Sequence, residues 1–150
     1  MQTVKQALYQ KCEAYVQKRI DTANSAMQDA QSSANSETKS TAGDKHDTAR
    51  AMMQLAAEQN AKHLAEANKL KQVLHLINPE QKSIKGELGS LVIASNGNFY
   101  ISVSVGKIEL NGTIYFAISP TSPMGTVLKN LNAGDKTNFN HLSIEIKEVM

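Results

Sequence analysis

Apolar positions along this chain follow two different periods, and the change falls near Asn78-Pro79. Before it, Tyr9, Val16, Ile20, Ala23, Met27, Ala30 and Ala34 keep a seam at three- and four-residue spacing. Leu8, Cys12 and Tyr15 widen the stripe near its start. A second seam runs through Ala49, Met53, Ala56, Asn60, His63, Ala67, Leu70, Leu74 and Ile77. This spacing predicts two helices with the a/d-type faces of a coiled coil. The stretch from Asn35 to Gly43, rich in serine and threonine, favours loop over helix and breaks the pattern once. Two seams of similar length joined by a short break predict an antiparallel helical hairpin. Arms of about 30 residues, rising about 1.5 Å per residue, are roughly 45 Å long. The large residues gather at the open end, so the base is expected to be anchored and the tip more mobile. The surfaces away from the seam are polar, which favours a projecting hairpin over an ordinary helical layer.

After Pro79 the period falls to two. Ser90–Ser95 and Asn98–Val105 flank Asn96-Gly97, and Lys107–Leu110 and Thr113–Ile118 flank Asn111-Gly112. Asn-Gly favours two-residue hairpin turns. Ser122-Pro123 opens a short helix to about Leu131, with proline at its favoured first position. Gly134-Asp135 turns the chain, and Leu142–Val149 alternates as a last strand. The expected class is α+β: residues 1–78 a long antiparallel coiled-coil hairpin, residues 79–150 a small antiparallel β domain with one short helix.

Composition narrows the chemistry. A net charge of +2 over 150 residues gives no basic coat for nucleic acid. The single cysteine, Cys12, forms no internal disulfide, fits a reducing compartment and reads as a small apolar helix residue. No Cys/His cluster suggests structural zinc. The first residues lack the apolar core of a signal peptide, and no apolar run reaches the ~18 residues that span a bilayer. The expectation is a cytoplasmic protein with no membrane partner.

Two segments carry a family resemblance. Ala42-Gly-Asp-Lys-His-Asp-Thr-Ala-Arg-Ala-Met-Met-Gln-Leu-Ala-Ala-Glu58 resembles the hairpin tip of the Gre-type bacterial transcript-cleavage factors, whose pattern runs G-D-L-x-E-N-A-E-Y into an alanine-rich helix. Ile118-Ser-Pro-Thr-Ser-Pro-Met-Gly-Thr-Val-Leu-Lys-Asn-Leu-Asn-Ala-Gly-Asp135 is similar to that family's S-x-x-S-P-I-x-x-A-L-x-G-K-x-x-G-D segment. The order of the parts also matches, and the resemblance covers nearly the whole chain. It implies an FKBP-like second domain. It also implies a monomeric partner of RNA polymerase, not itself an enzyme, whose tip enters the secondary channel and stimulates cleavage of backtracked RNA near its 3′ end.

On that resemblance, Asp44 and Asp47 are the candidate catalytic carboxylates. They would help hold a Mg ion shared with the polymerase active site, and no cofactor would be bound stably. Magnesium prefers carboxylate oxygen and water, and phosphodiester hydrolysis favours two metal ions. The same two aspartates also have the spacing of a helix cap. Lys39, Lys45 and Arg50 are candidate contacts to RNA phosphates or acidic channel walls. Ser119, Pro120, Ser122 and Pro123 are candidate polymerase contacts. The chain departs from the pattern at Asp47, where the family has glutamate, and at Thr48-Ala-Arg-Ala51, where it has N-A-E-Y. That departure keeps open a channel-occupying regulator without cleavage stimulation. An FKBP-like isomerase or chaperone is disfavoured by the scarcity of aromatics. A coiled-coil adaptor is the remaining reading. Glu37 reads as a solvated loop residue, His63 as an interhelical histidine, and Met27, Met52 and Met53 as packing.

Overall fold

The computed structural model describes residues 2–37 and 44–150, with side chains described outside 33–47. The protein is α+β, with two N-terminal helices packed against each other and a six-stranded mixed sheet after them. Helix α1 spans Val4–Glu37 and α2 spans Asp44–His75. A capping box starts α1: the Gln6 N–H donates to Thr3 Oγ1 at 3.2 Å, and the Thr3 N–H donates back to Gln6 Oε1 at 2.9 Å. The chain forms two compact units, Met1–Tyr15 with Gln72–Met150, and Val16–Lys71.

On α1 the buried positions are Lys5, Leu8, Cys12, Val16, Ile20 and Ala23, with Met27 and Ala30 half-buried. Three details of the predicted seams change. Tyr15 lies outside the stripe and is exposed. Met52 is 68% exposed and packs against little. His63 is exposed, and Leu64 takes the inward place between Asn60 and Ala67. Positions 63 and 64 both lie within one seam step of Asn60, and the larger apolar side chain occupies the contact.

The sheet comprises β1 (Leu91–Ala94), β2 (Gly97–Ile101), β3 (Gly106–Leu110), β4 (Thr113–Ile118), β5 (Lys136–Phe139) and β6 (Leu142–Val149). Its order is β3-β4-β2-β1-β6-β5. The expectation of an antiparallel sheet is corrected by one pairing: β2 and β4 run parallel, with Phe99 opposite Phe116 and Ile101 opposite Ile118. After β2 the chain crosses to the outer edge as β3. The turn at Asn111-Gly112, with φ of 51° and 82°, then folds β4 back between β3 and β2. Positive φ at both turn residues is the geometry that favours Asn-Gly. The first hairpin turns one residue earlier than expected, at Ser95-Asn96, since Ala94 pairs with Gly97. Strand β2 stops at Ile101, short of Val105.

Strand β5 has no counterpart in the apolar pattern. Lys136-Thr-Asn-Phe139 is largely polar, and its turn to β6 uses Asn140 and His141 at φ 50° and 66°. The short helix α3 (Pro123–Leu128) starts as expected but ends before Leu131. There Asn130 takes φ 63° and its N–H donates to the Gly86 carbonyl at 2.8 Å, which draws the chain out of the helix.

Alternation along the strands sorts the side chains onto two faces. Val92, Ala94, Phe99, Ile101, Ile144 and Ile146 pack with Met124 and Leu128 of α3 in one core cluster. The opposite face carries Leu91, Tyr100, Ile108, Tyr115 and Ala117, all buried. The first turns of α1 reach it, where Cys12 Sγ lies 3.5 Å from the Ser102 hydroxyl. The same end of the unit joins the two helices, as the Tyr9 hydroxyl donates to the Leu74 carbonyl at 2.8 Å.

Candidate functional site

The residues singled out from sequence fall into two groups. At the first, α2 begins at Asp44, which puts Asp44 and Asp47 in its first turn. The side chains of Asp44, Lys45 and Asp47, and residue Lys39, lie outside the described residues. Arg50 is exposed on α2.

The second group surrounds the start of α3 and is a built corner. Ser122 has extended backbone, and its hydroxyl accepts from the Gly125 N–H at 3.1 Å while donating to the Ser119 carbonyl at 2.6 Å. One hydroxyl thereby caps the helix and ties it to the end of β4. Pro123 occupies the first turn, where its missing N–H costs nothing. Pro120 and Thr121 line a cleft of about 230 Å³ with Glu87, Leu88 and Lys129. Ser119, Pro120 and Ser122 are partly exposed and Pro123 is exposed. Glu87 and Lys129 were not singled out from sequence. Isolated charges 42 positions apart carry no spacing signal, and backbone pairing of Lys85-Gly86 with the segment 129–132 brings them together.

A third cluster is buried between α1 and the sheet. Tyr100 is fully buried, and its hydroxyl has no hydrogen-bond partner among the described residues. Burial pushes its pKa upward, and the nearby Cys12, Tyr9 and Glu13 add to that direction. Cys12 is also fully buried; desolvation raises its thiol, against the weaker opposing effect of the Ser102 contact. A thiol held protonated and out of solvent is a poor nucleophile.

These shifts set a pH dependence. Unfolded Cys and Tyr would lose protons near 9.0 and 10.0, whereas the folded chain keeps them to higher pH. The folded state therefore binds more protons, and stability falls as pH rises above about 9. Lys5, lowered from 10.5 by burial, acts in the opposite direction and offsets part of the fall. Tyr100→Phe is expected to raise stability at neutral pH by about 1 kcal/mol, because it removes an unsatisfied buried hydroxyl. It should also flatten the alkaline decline. Urea midpoints measured from neutral to alkaline pH test both effects, and an unchanged slope would refute the assignment.

Among the described residues no group of three or more His, Cys, Asp or Glu is placed to hold a metal ion. No described helix is long and apolar enough to cross a membrane. No protein-family model matches the chain, and no curated protein matches it.

Proposed function

We propose that this chain is a Gre-type transcription factor that binds RNA polymerase, inserts the segment between α1 and α2 into the secondary channel, and stimulates cleavage of backtracked RNA. The observation that carries the reading is the order and pairing of the parts. Two long helices pack together, an Asp44/Asp47 pair falls in the first turn of the second, and a mixed sheet follows with a capped helix at Ser122-Pro123. In this reading the helices form an antiparallel coiled-coil hairpin, and the sheet with α3 is an FKBP-like domain.

A carboxylate carried at a helix start is ionised near neutral pH and supplies oxygen to a hard cation. Asp44 would complete the shell of a weakly held Mg ion at the polymerase centre, and Asp47 would assist that ion or position the attacking water. The chemistry belongs to the polymerase; this chain supplies ligands and position. Lys39, Lys45 and Arg50 would meet RNA phosphate or acidic channel walls. Ser119, Pro120, Ser122 and Pro123 would meet the polymerase surface. The replacement of N-A-E-Y by Thr48-Ala-Arg-Ala51 favours one second reading, a regulator that occupies the channel without stimulating cleavage.

The test is RNA cleavage in a stalled, backtracked complex of the cognate polymerase, comparing wild type with Asp44→Asn. Asparagine still caps a helix but loses the anionic ligand. Stimulation by wild type, lost in a folded and polymerase-bound Asp44→Asn, is the expected result. Tight binding without stimulation by wild type would replace cleavage with channel occupation. Absence of polymerase binding would end the proposal.

A further inference from the structure

The first turn of α1, the segment 79–84 and the end of β6 enclose a groove of about 690 Å³. That is within the roughly 300–1,000 Å³ range of small-molecule sites. Val4, Pro79, Ile84 and Val149 supply its apolar wall. Ile84 is 77% exposed and Val4 41% exposed, so apolar surface stands uncovered there.

The groove has a polar end lined by two cations and one carboxylate. Lys5 lines it and is only 7% exposed. Its ammonium donates to the Gln81 carbonyl at 2.6 Å, and this is its only hydrogen bond among the described residues. An ammonium carries three donors, and a buried cation is costly unless an anion pairs with it. Burial moves its pKa down, and the charge of Glu87 offsets this only in part. Lys82 adds a second cation to the lining. Glu80, the carboxylate there, is engaged by the Gln6 amide at 3.4 Å. The Thr3–Gln6 box holds the first turn of α1 in place, with the positive end of a 34-residue helix at the groove.

We infer that this groove binds a small amphiphilic carboxylate, its anionic head on Lys5 and its alkyl chain along Val4, Pro79, Ile84 and Val149. A carboxylate would take the ammonium donors that the protein leaves unused, and the tail would cover the exposed Ile84. The inference is independent of polymerase binding, since every lining residue belongs to the unit made of Met1–Tyr15 and Gln72–Met150.

Calorimetric titration of the full chain with decanoate, and with decan-1-ol as the uncharged analogue, tests it. Saturable one-to-one decanoate binding tighter than about 1 mM is expected. Lys5→Met keeps the apolar stem and should weaken decanoate roughly tenfold while leaving decan-1-ol unchanged. Ile84→Asp, at an exposed position safe for folding, should weaken both. It keeps the test decisive if Lys5→Met does not fold. Absence of saturable decanoate binding, or binding indifferent to both substitutions, would overturn the inference. So would sedimentation showing a dimer of the unliganded chain that Ile84→Asp abolishes, because the groove would then belong to a second copy.

Discussion

Gly86→Ala is expected to destabilise the unit that contains the sheet by roughly 3 kcal/mol or more. Nothing in the sequence around Gly86 announces this. The residue forms an isolated parallel bridge with Lys129, its N–H donates to the Leu131 carbonyl at 2.9 Å, and its carbonyl accepts from Asn130 at 2.8 Å. Two backbones thus lie against each other with no side chain between. A Cβ added at Gly86 would sit 2.8 Å from the Leu128 carbonyl carbon and closer still to its oxygen. Rotating a side chain gives no relief, because the obstacle is main chain. The segment must withdraw, giving up both hydrogen bonds and the seat of Leu128 in the core. Tyrosine fluorescence during urea unfolding is a clean probe. Tyr9, Tyr15, Tyr100 and Tyr115 are the four tyrosines of the chain, all lie in this unit, and there is no tryptophan. A variant within about 1 kcal/mol of wild type would show that the two backbones separate easily.

The second large effect is expected from Ile144→Ala, at roughly 2–5 kcal/mol. Ile144 is fully buried in β6, among Val92, Phe99, Leu128 and Ile146. Strand β6 lies between β1 and β5, so its neighbours are held on both edges by ladder hydrogen bonds. Such a site collapses poorly, and the lost methylenes leave a void as well as a transfer cost. Leu142, two residues earlier in the same strand, is 65% exposed. Leu142→Ala should therefore change the midpoint little, and the contrast between the two measures burial at nearly constant chemistry. Equal effects at both positions would contradict the placement of the core.

The pattern of apolar positions was enough for much of this architecture. Steps of three and four specify helices because side chains one turn apart share a face. Strict alternation specifies strands because successive side chains point oppositely. Local chemistry was legible for the same reason. Asn111-Gly112 turns where positive φ is needed at two residues, and Ser122-Pro123 starts a helix with a cap followed by a residue lacking an N–H. The corner at residues 119–123 was thereby located as a helix start.

Other features depend on partners distant in sequence, and a one-dimensional pattern does not hold them. Alternation is identical in parallel and antiparallel strands, so the parallel pairing of β2 with β4 appears only once β3 takes the outer edge. Strand β5 is made by its ladder with β6 and not by its own composition. Between His63 and Leu64, both within reach of the seam, the choice fell to the larger apolar contact. The buried Lys5, the buried Tyr100 hydroxyl and the close approach at Gly86 arise where α1, the sheet and the segment after Pro79 meet. The sequence by itself determined the two long helices, most of the strands and the Asn111-Gly112 turn, because those follow from interactions within a few residues. Tertiary structure alone decided strand order, the burial of polar groups and the shape of the groove, because each is fixed by which distant surfaces exclude water together.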